Sequence, residues 1–230
     1  MIAVTFALPA ESSDFTSKLT QIGPHFRDGG AHVRGEVNGR SVAVFHTGVG
    51  RISCCARIQQ ILGDESFDYL ISAGFAGALA EELEVGDILV ATNFSDPDLQ
   101  KLFPETDGVV HGTLTTAARV IDSFAERERL RKESGALGVD METEFIAKAC
   151  AAHRVKMLSL RAVSDTPVRP LPAPANVLFD IAKQKTDFAR LAYYLATRPQ
   201  KITKLIGFHR QIVLARQSLT KAITDVIGQM

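Results

Sequence analysis

Residues 135–167, GALGVDMETEFIAKACAAHRVKMLSLRAVSDTP, constrain the fold more tightly than any other stretch. Leu137 to Val139 is short and apolar. Glu142 to His153 carries Phe145, Ile146, Ala149 and Cys150 at helical spacing, and Met157 to Val163 is an apolar run interrupted by Arg161. The pattern predicts strand, helix, strand, and in a parallel sheet the ends of two such strands lie side by side at the ligand-binding edge. Glu142 leaves the first strand and Asp165 the second, so two carboxylates would meet one ligand. A plainer reading stays open from the pattern alone: Asp165 caps a turn before Pro167, and Glu142 sits in a helix first turn, where acids are favoured.

The chain before this unit repeats the same grammar. Ile2 to Ala7 reads as a buried strand, followed by Leu8-Pro9-Ala10-Glu11 and a helix burying Phe15, Leu19 and Ile22. Glu11 thereby falls on the same sheet edge as Glu142 and Asp165 if the sheet is parallel. Val33–Val37 and Ser41–His46 flank Asn38-Gly39, a type I′ hairpin signal. Thr47-Gly48-Val49-Gly50 then precedes a helix over Arg51–Leu62, where glycines let backbone amides approach a ligand, although GxG falls short of a dinucleotide fingerprint. Tyr69 to Ala73 predicts a strand ending in Gly74-Phe75-Ala76-Gly77, and Val85-Gly86-Asp87 turns into another over Ile88–Val90. Residues 94–108 read as loop, His111 as a polar residue at a strand end, and Glu126–Ser134 as a solvated helix stopped by Gly135.

Beyond Asp165, the prolines at 167, 170, 172 and 174 exclude regular helix or a central strand. Helical patterns follow over Val177–Thr197 and Lys201–Ile227, with His209 and Arg216 near the apolar stripe of the second. The formal net charge is zero, yet residues 176–230 hold nine Lys/Arg against three Asp/Glu. These cations are dispersed among apolar residues with no binding motif, so nucleic acid is not implied. With 230 residues and 46% hydrophobic content, a single domain with a core over 1–170 and a proline-rich, helical extension over 171–230 is expected. No apolar run of 18 residues predicts a membrane span, and MIAVTFALPAESS lacks the basic flank of a signal peptide. Cys54, Cys55 and Cys150 fall in helical patterns without metal spacing, which fits buried thiols in a reducing cytoplasm.

VDMET followed by RAVSDTP, preceded in order by TGVG, SAGFAG and VGDILVA, resembles the nucleoside phosphorylase superfamily over roughly residues 1–170. The nearer branch looks like the methylthioadenosine/adenosylhomocysteine nucleosidases and the hopanoid-associated nucleosidases. The resemblance implies a three-layer α/β/α fold around a mixed, largely parallel sheet, with the helices after 175 as an addition. It implies ribose held by Met141 and Glu142, the base by Ser164, Asp165, Phe75, Ala76 and Gly77, water activated by Glu11, and a proton for the departing purine from Asp165. No metal or organic cofactor is required, and the expected partners are a purine nucleoside and a second copy of the chain.

Two departures refine the expectation. Phosphorolytic members hold phosphate with an arginine and a hydroxyl where this chain has Ser72 and Phe75, and a phosphate dianion beside a phenyl ring without a cation is disfavoured. Hydrolysis is therefore expected over phosphorolysis. The aromatic residue that stacks on adenine in the nucleosidases has no counterpart between His111 and Ile121. The expected function is a purine nucleosidase releasing adenine from a 5′-substituted adenosine. Its substrate could extend to a lipid-linked, adenosylhopane-like one, with the basic apolar helices meeting a membrane surface. The alternatives are a phosphorolytic enzyme and an inactive nucleoside-binding domain.

Overall fold

A computed structural model describes residues 1–27, 30–180, 184 and 188–230. In chain order the elements are β1 (Ile2–Phe6), α1 (Pro9–Thr16), β2 (Thr20–Arg27), β3 (Gly30–Val37), β4 (Arg40–His46), α2 (Arg51–Asp64), β5 (Tyr69–Ala78) and β6 (Ile88–Ala91). They continue with α3 (Pro97–Lys101), β7 (Val109–Gly112), β8 (Leu114–Thr116), α4 (Phe124–Ser134), β9 (Gly138–Asp140) and α5 (Thr143–His153). The last are β10 (Lys156–Asp165), α6 (Ala175–Leu178), α7 (Phe188–Ala196) and α8 (Ile202–Gln229). All ten strands join one mixed sheet in the order β2-β3-β4-β1-β5-β10-β6-β7, with β9 bridging β5 and β8.

Period-two alternation explains how β1 is sandwiched. Ala3 faces a layer of α2 and α5, with Cys54, Ile58, Ile146 and Cys150. Val4 and Phe6 face the opposite layer, where Phe15 of α1 and Leu219, Ile223 and Val226 of α8 pack. This is the expected three-layer arrangement, and α8 supplies much of one layer. One face of its second half is buried, from Ala215 to Ile227, and Arg216 pairs with Asp14 of α1 at 2.9 Å. Arg216 is therefore tied to the body rather than offered to a partner surface.

The strands β4, β1, β5 and β10 are parallel, so Thr47, Glu11 and Asp165 emerge at one edge. The first strand of the 135–167 unit departs from expectation, because β9 runs antiparallel to β5. The cause lies in β5, which does not end at Ala73. Pairing with β10 continues from Tyr69 through Gly77, so the glycine-rich segment is strand. β1 accompanies β5 only as far as Ser72, and β9 joins from the other end at Gly77. Between these partners one flank of β5 is left open at residues 73–76.

Other boundaries also shift. The first helix stops at Thr16, and Thr20–Arg27 forms an edge strand in which Pro24 is tolerated because no inner neighbour needs its N–H. The side chain of Ile22 lies outside the described residues. A short helix, α3, interrupts the 94–108 loop, capped by Asp96 accepting from the Asp98 N–H at 2.9 Å. The helix expected over 177–197 is broken at Phe179, whose backbone is extended. Residues 181–183 and 185–187 of that stretch lie outside the described ones. The hairpin turn is as expected, with positive φ at Asn38 and Gly39.

Candidate active site

Glu11 enters the open flank of β5 from the β1 side. Its Oε2 accepts from the N–H groups of Ala7 (2.9 Å) and Leu8 (3.1 Å), folding the carboxylate back over the strand end. A side chain at Gly74 would stand 3.8 Å from both Glu11 oxygens and from the Arg161 guanidinium, so the carboxylate looks directly onto β5. Burial raises the Glu11 pKa, against the lowering pull of the Leu8 and Ala7 amides and of Arg161.

Glu142 arrives from the opposite direction, after β9. Gly50, at φ 82°, directs its N–H onto Glu142 Oε1 at 2.7 Å, which is what the glycines of TGVG accomplish here. Burial first, then the nearby Asp140 charge, pushes the Glu142 carboxyl up to about 8. Beneath both acids Arg161 is fully buried. Its Nε contacts Asp140 Oδ2 at 3.0 Å, Nη1 donates to Ser72 O at 2.6 Å, and Nη2 reaches Ser72 Oγ (2.9 Å) and Thr143 Oγ1 (2.6 Å). Asp140 also accepts from Thr116 Oγ1 at 2.8 Å and caps α5 through the Thr143 N–H at 3.0 Å. Ser72 thus points into this network, and Arg161 is committed to internal partners.

At the end of β10, Asp165 is held on both oxygens. Ser164 Oγ donates to Oδ1 at 2.6 Å, and Arg127 of α4 forms a buried ion pair with Oδ2. Arg127 is 2% exposed and donates further to Ile121 O (3.0 Å) and Ala78 O (3.1 Å). The charge-dense helix is therefore not wholly solvated.

Glu11, Glu142 and Asp165 line one cavity of about 300 Å³. Met141, Ser164, Phe75, Ala76 and Gly77 line it too, so the eight residues expected to act on base, ribose and water are brought together there, whereas Ser72 and His111 are not. Much of the remaining lining is apolar and includes Val49, Leu171, Leu178, Phe179, Phe208 and Ile212. The cations on the lining, Arg119 and Arg127, are ion-paired with Glu126 and Asp165. His111 lies on β7 with Nε2 2.6 Å from Phe103 O, as a strand residue.

A model of the phosphorylase superfamily matches residues 1–109 and 94–197. The chain belongs to the phosphorylase superfamily. Among curated members it is 26% identical to the 5′-methylthioadenosine/S-adenosylhomocysteine nucleosidase of Staphylococcus aureus (strain JH9), covering 72% of this chain and 86% of that one. The superfamily fold is shared with the nucleosidase of Streptococcus pneumoniae solved with a transition-state inhibitor, at TM-score 0.74 and 18% identity over 99% of this chain and 98% of that one. It is also shared with a Borrelia burgdorferi protein solved with adenine, described as a nucleosidase of the same kind, at TM-score 0.75 and 18% identity over the whole of both chains. Futalosine hydrolase of Helicobacter pylori superposes at TM-score 0.75 with 15% identity, covering 100% of this chain and 99% of that one.

Two residues of this candidate site were not picked out by sequence reasoning. Asp140 sits inside the VDMET motif but was overshadowed by its neighbours. Arg127 left one signal, since it precedes Leu130 by three residues and so shares the face of α4 that packs inward. Phe75, which sequence reasoning did select, places a partly buried ring on the cavity wall.

Proposed function

We propose that the protein is a purine nucleosidase that hydrolyses the N-glycosidic bond of a 5′-substituted adenosine and releases adenine. The reading rests on one observation: three carboxylates, from the ends of β1, β9 and β10, line the same small cavity. Bond cleavage through an oxocarbenium-like state needs an activated water, hydrogen bonds to the ribose hydroxyls and a proton on the departing base. Glu11 takes the first role, from its place on the open flank of β5. Glu142, beside Met141, accepts from the ribose hydroxyls. Asp165 serves the base, with Ser164 orienting Oδ1. Because Oδ2 is taken by Arg127, the proton passed to purine N7 is carried at Oδ1, shared between acid and base.

Water is favoured as nucleophile over phosphate because Arg161 is spent on Asp140, Ser72 and Thr143, leaving no unpaired cation on the described lining. Retention of all three acids in one cavity speaks against a merely binding, inactive domain.

The 5′ substituent is apolar in this reading. Among the described residues, the wall formed by Leu171, Leu178, Phe179, Phe208 and Ile212 offers no charged side chain for a zwitterionic tail. A long apolar group, up to a lipid-linked adenosine of the adenosylhopane kind, fits that chemistry. The exposed residues Tyr193, Ile202 and Ile206 on α7 and α8 stand among Arg198, Lys201 and Lys204, a composition that suits an anionic lipid surface. Comparing kcat/KM for a long-alkyl 5′-deoxyadenosine, methylthioadenosine and adenosylhomocysteine tests the reading. The first should be cleaved best, with binding to anionic liposomes. A strong preference for adenosylhomocysteine without liposome binding would leave a nucleosidase for small polar substrates.

A further inference from the structure

Next to the main cavity lies a second chamber of about 10 Å³, room for a single water molecule. Glu11 and Glu142 line both, so the two carboxylates stand at the boundary between them. Thr5, Gly74 and Arg161 also line the chamber. Gly74 keeps it open, since a methyl group there would meet nothing nearer than the Glu11 oxygens and the Arg161 guanidinium at 3.8 Å.

Thr5 has no part in hydrolysis as described so far. It alternates with Val4 and Phe6 along β1, so it shares with Ala3 the face turned to α2 and α5. Its register partner on β5 is Ser72, two residues before Gly74 and therefore on the same face as that glycine. The Thr5 side chain is fully buried, and its Oγ1 has no hydrogen-bond partner among the described residues. A buried hydroxyl left unmet is costly, so a partner from outside the chain is called for.

Arg161 cannot meet it. Its Nε contacts Asp140, Nη1 donates to Ser72 O and Leu160 O, and Nη2 donates to Ser72 Oγ and Thr143 Oγ1, which uses all five N–H groups. Glu11 commits Oε2 to the Ala7 and Leu8 amides and leaves Oε1 to accept. A water in the chamber thus finds a donor in Thr5 and an acceptor in Glu11. Those two bonds use one of its lone pairs and one of its hydrogens, and the second lone pair is left for an electrophile.

We propose that Thr5 is a positioning residue for the hydrolytic step, its hydroxyl holding the attacking water in the chamber over Gly74 with one hydrogen on Glu11. The water oxygen bonds to the anomeric carbon and its proton passes to Glu11. The bond from that carbon to the purine breaks, its electron pair leaves with the base, and purine N7 takes the proton carried at Asp165. The inference rests on the nucleosidase reading above and adds to it the place of the water and the residue that fixes it.

The test pairs a crystal structure of the wild type, at a resolution that shows waters, with kinetics of adenine release by Thr5→Val, Thr5→Ser and Gly74→Ala. The structure should show one water within hydrogen-bond distance of Thr5 Oγ1 and Glu11. Thr5→Val keeps shape without the hydroxyl, so kcat should fall at least about tenfold with KM and Tm near the wild type, and Thr5→Ser should restore most of it. Gly74→Ala fills the chamber without a clash and should cost about 10²-fold or more in kcat while leaving the affinity for adenine unchanged. Should Thr5→Val fail to fold, the wild-type structure and Gly74→Ala carry the test. A chamber without a water, or wild-type kcat in either Thr5→Val or Gly74→Ala, overturns the role of Thr5. A wild type that holds the water yet releases adenine from no adenosine derivative contradicts the nucleosidase reading itself, and the role of Thr5 falls with it.

Discussion

Glu142 is held where its charge is disfavoured, chiefly by burial and next by Asp140, and its carboxyl titrates at about 8 instead of near 4.5. Between those values the folded chain keeps a proton that the unfolded chain has lost. The resulting stability is complete below the lower value and disappears as pH rises through about 8. Glu11, raised by burial, adds a trend of the same sign. The ligand-free protein should therefore lose thermal stability between about pH 5 and pH 8, by on the order of a few kcal/mol, and Glu142→Gln should flatten that slope. Melting curves across the range check it, and equal slopes would contradict the burial of this carboxylate. Asp165→Asn keeps shape but removes the proton route, so adenine release should fall by about 10²–10⁴-fold without loss of fold. Glu11, Glu142 and Asp165 were legible in the sequence because each follows a strand with a recognisable motif. Arg127 was not, because one buried cation in a helix of many charges differs from its neighbours only by the face it occupies.

Among the elements, β5 decides where the site can be. Its ten residues outlast β1 on one flank, and the gap before β9 admits Glu11 and Glu142. Gly77 lies under the Arg127–Asp165 pair, so Gly77→Ala must displace one of them by a few tenths of an ångström. Its kcat should drop at least about tenfold while far-UV circular dichroism stays that of the wild type. An unchanged kcat would mean that the pair is loosely held. The sequence misled here in a physical way. Gly74 and Gly77 signal close approach of another group, which is correct, but glycine also signals a strand end, and continuous pairing with β10 overrode that. The direction of β9 was equally hidden, since three apolar residues fit a parallel or an antiparallel neighbour alike. The edge strand β2 was masked by Gly23, which weakens a strand pattern, and by Pro24, which an edge position tolerates.

At the scale of the molecule, α8 joins stability to the site. Its second half closes one layer over β1 and β10, and its first half brings Phe208 and Ile212 to the cavity. Leu219 is fully buried, so Leu219→Ala should destabilise by about 2–5 kcal/mol, read as a lowered Tm. Phe208→Asp, at a half-buried position, should leave Tm close to the wild type and raise KM for apolar 5′-substituted adenosines. A matching drop in Tm would mean that Phe208 holds the fold and not the substrate. The apolar stripe of α8 was visible in the sequence, whereas its division between core and cavity depends on what lies beneath each turn. The central claim is hydrolysis at the three converging carboxylates. Its most direct test is product analysis after incubating the protein with a 5′-alkyl adenosine in ¹⁸O-labelled water containing phosphate. The account predicts free adenine and a free sugar carrying ¹⁸O at its anomeric carbon, with no product from Asp165→Asn above background. A sugar 1-phosphate, or no release of adenine from any adenosine derivative, would contradict it.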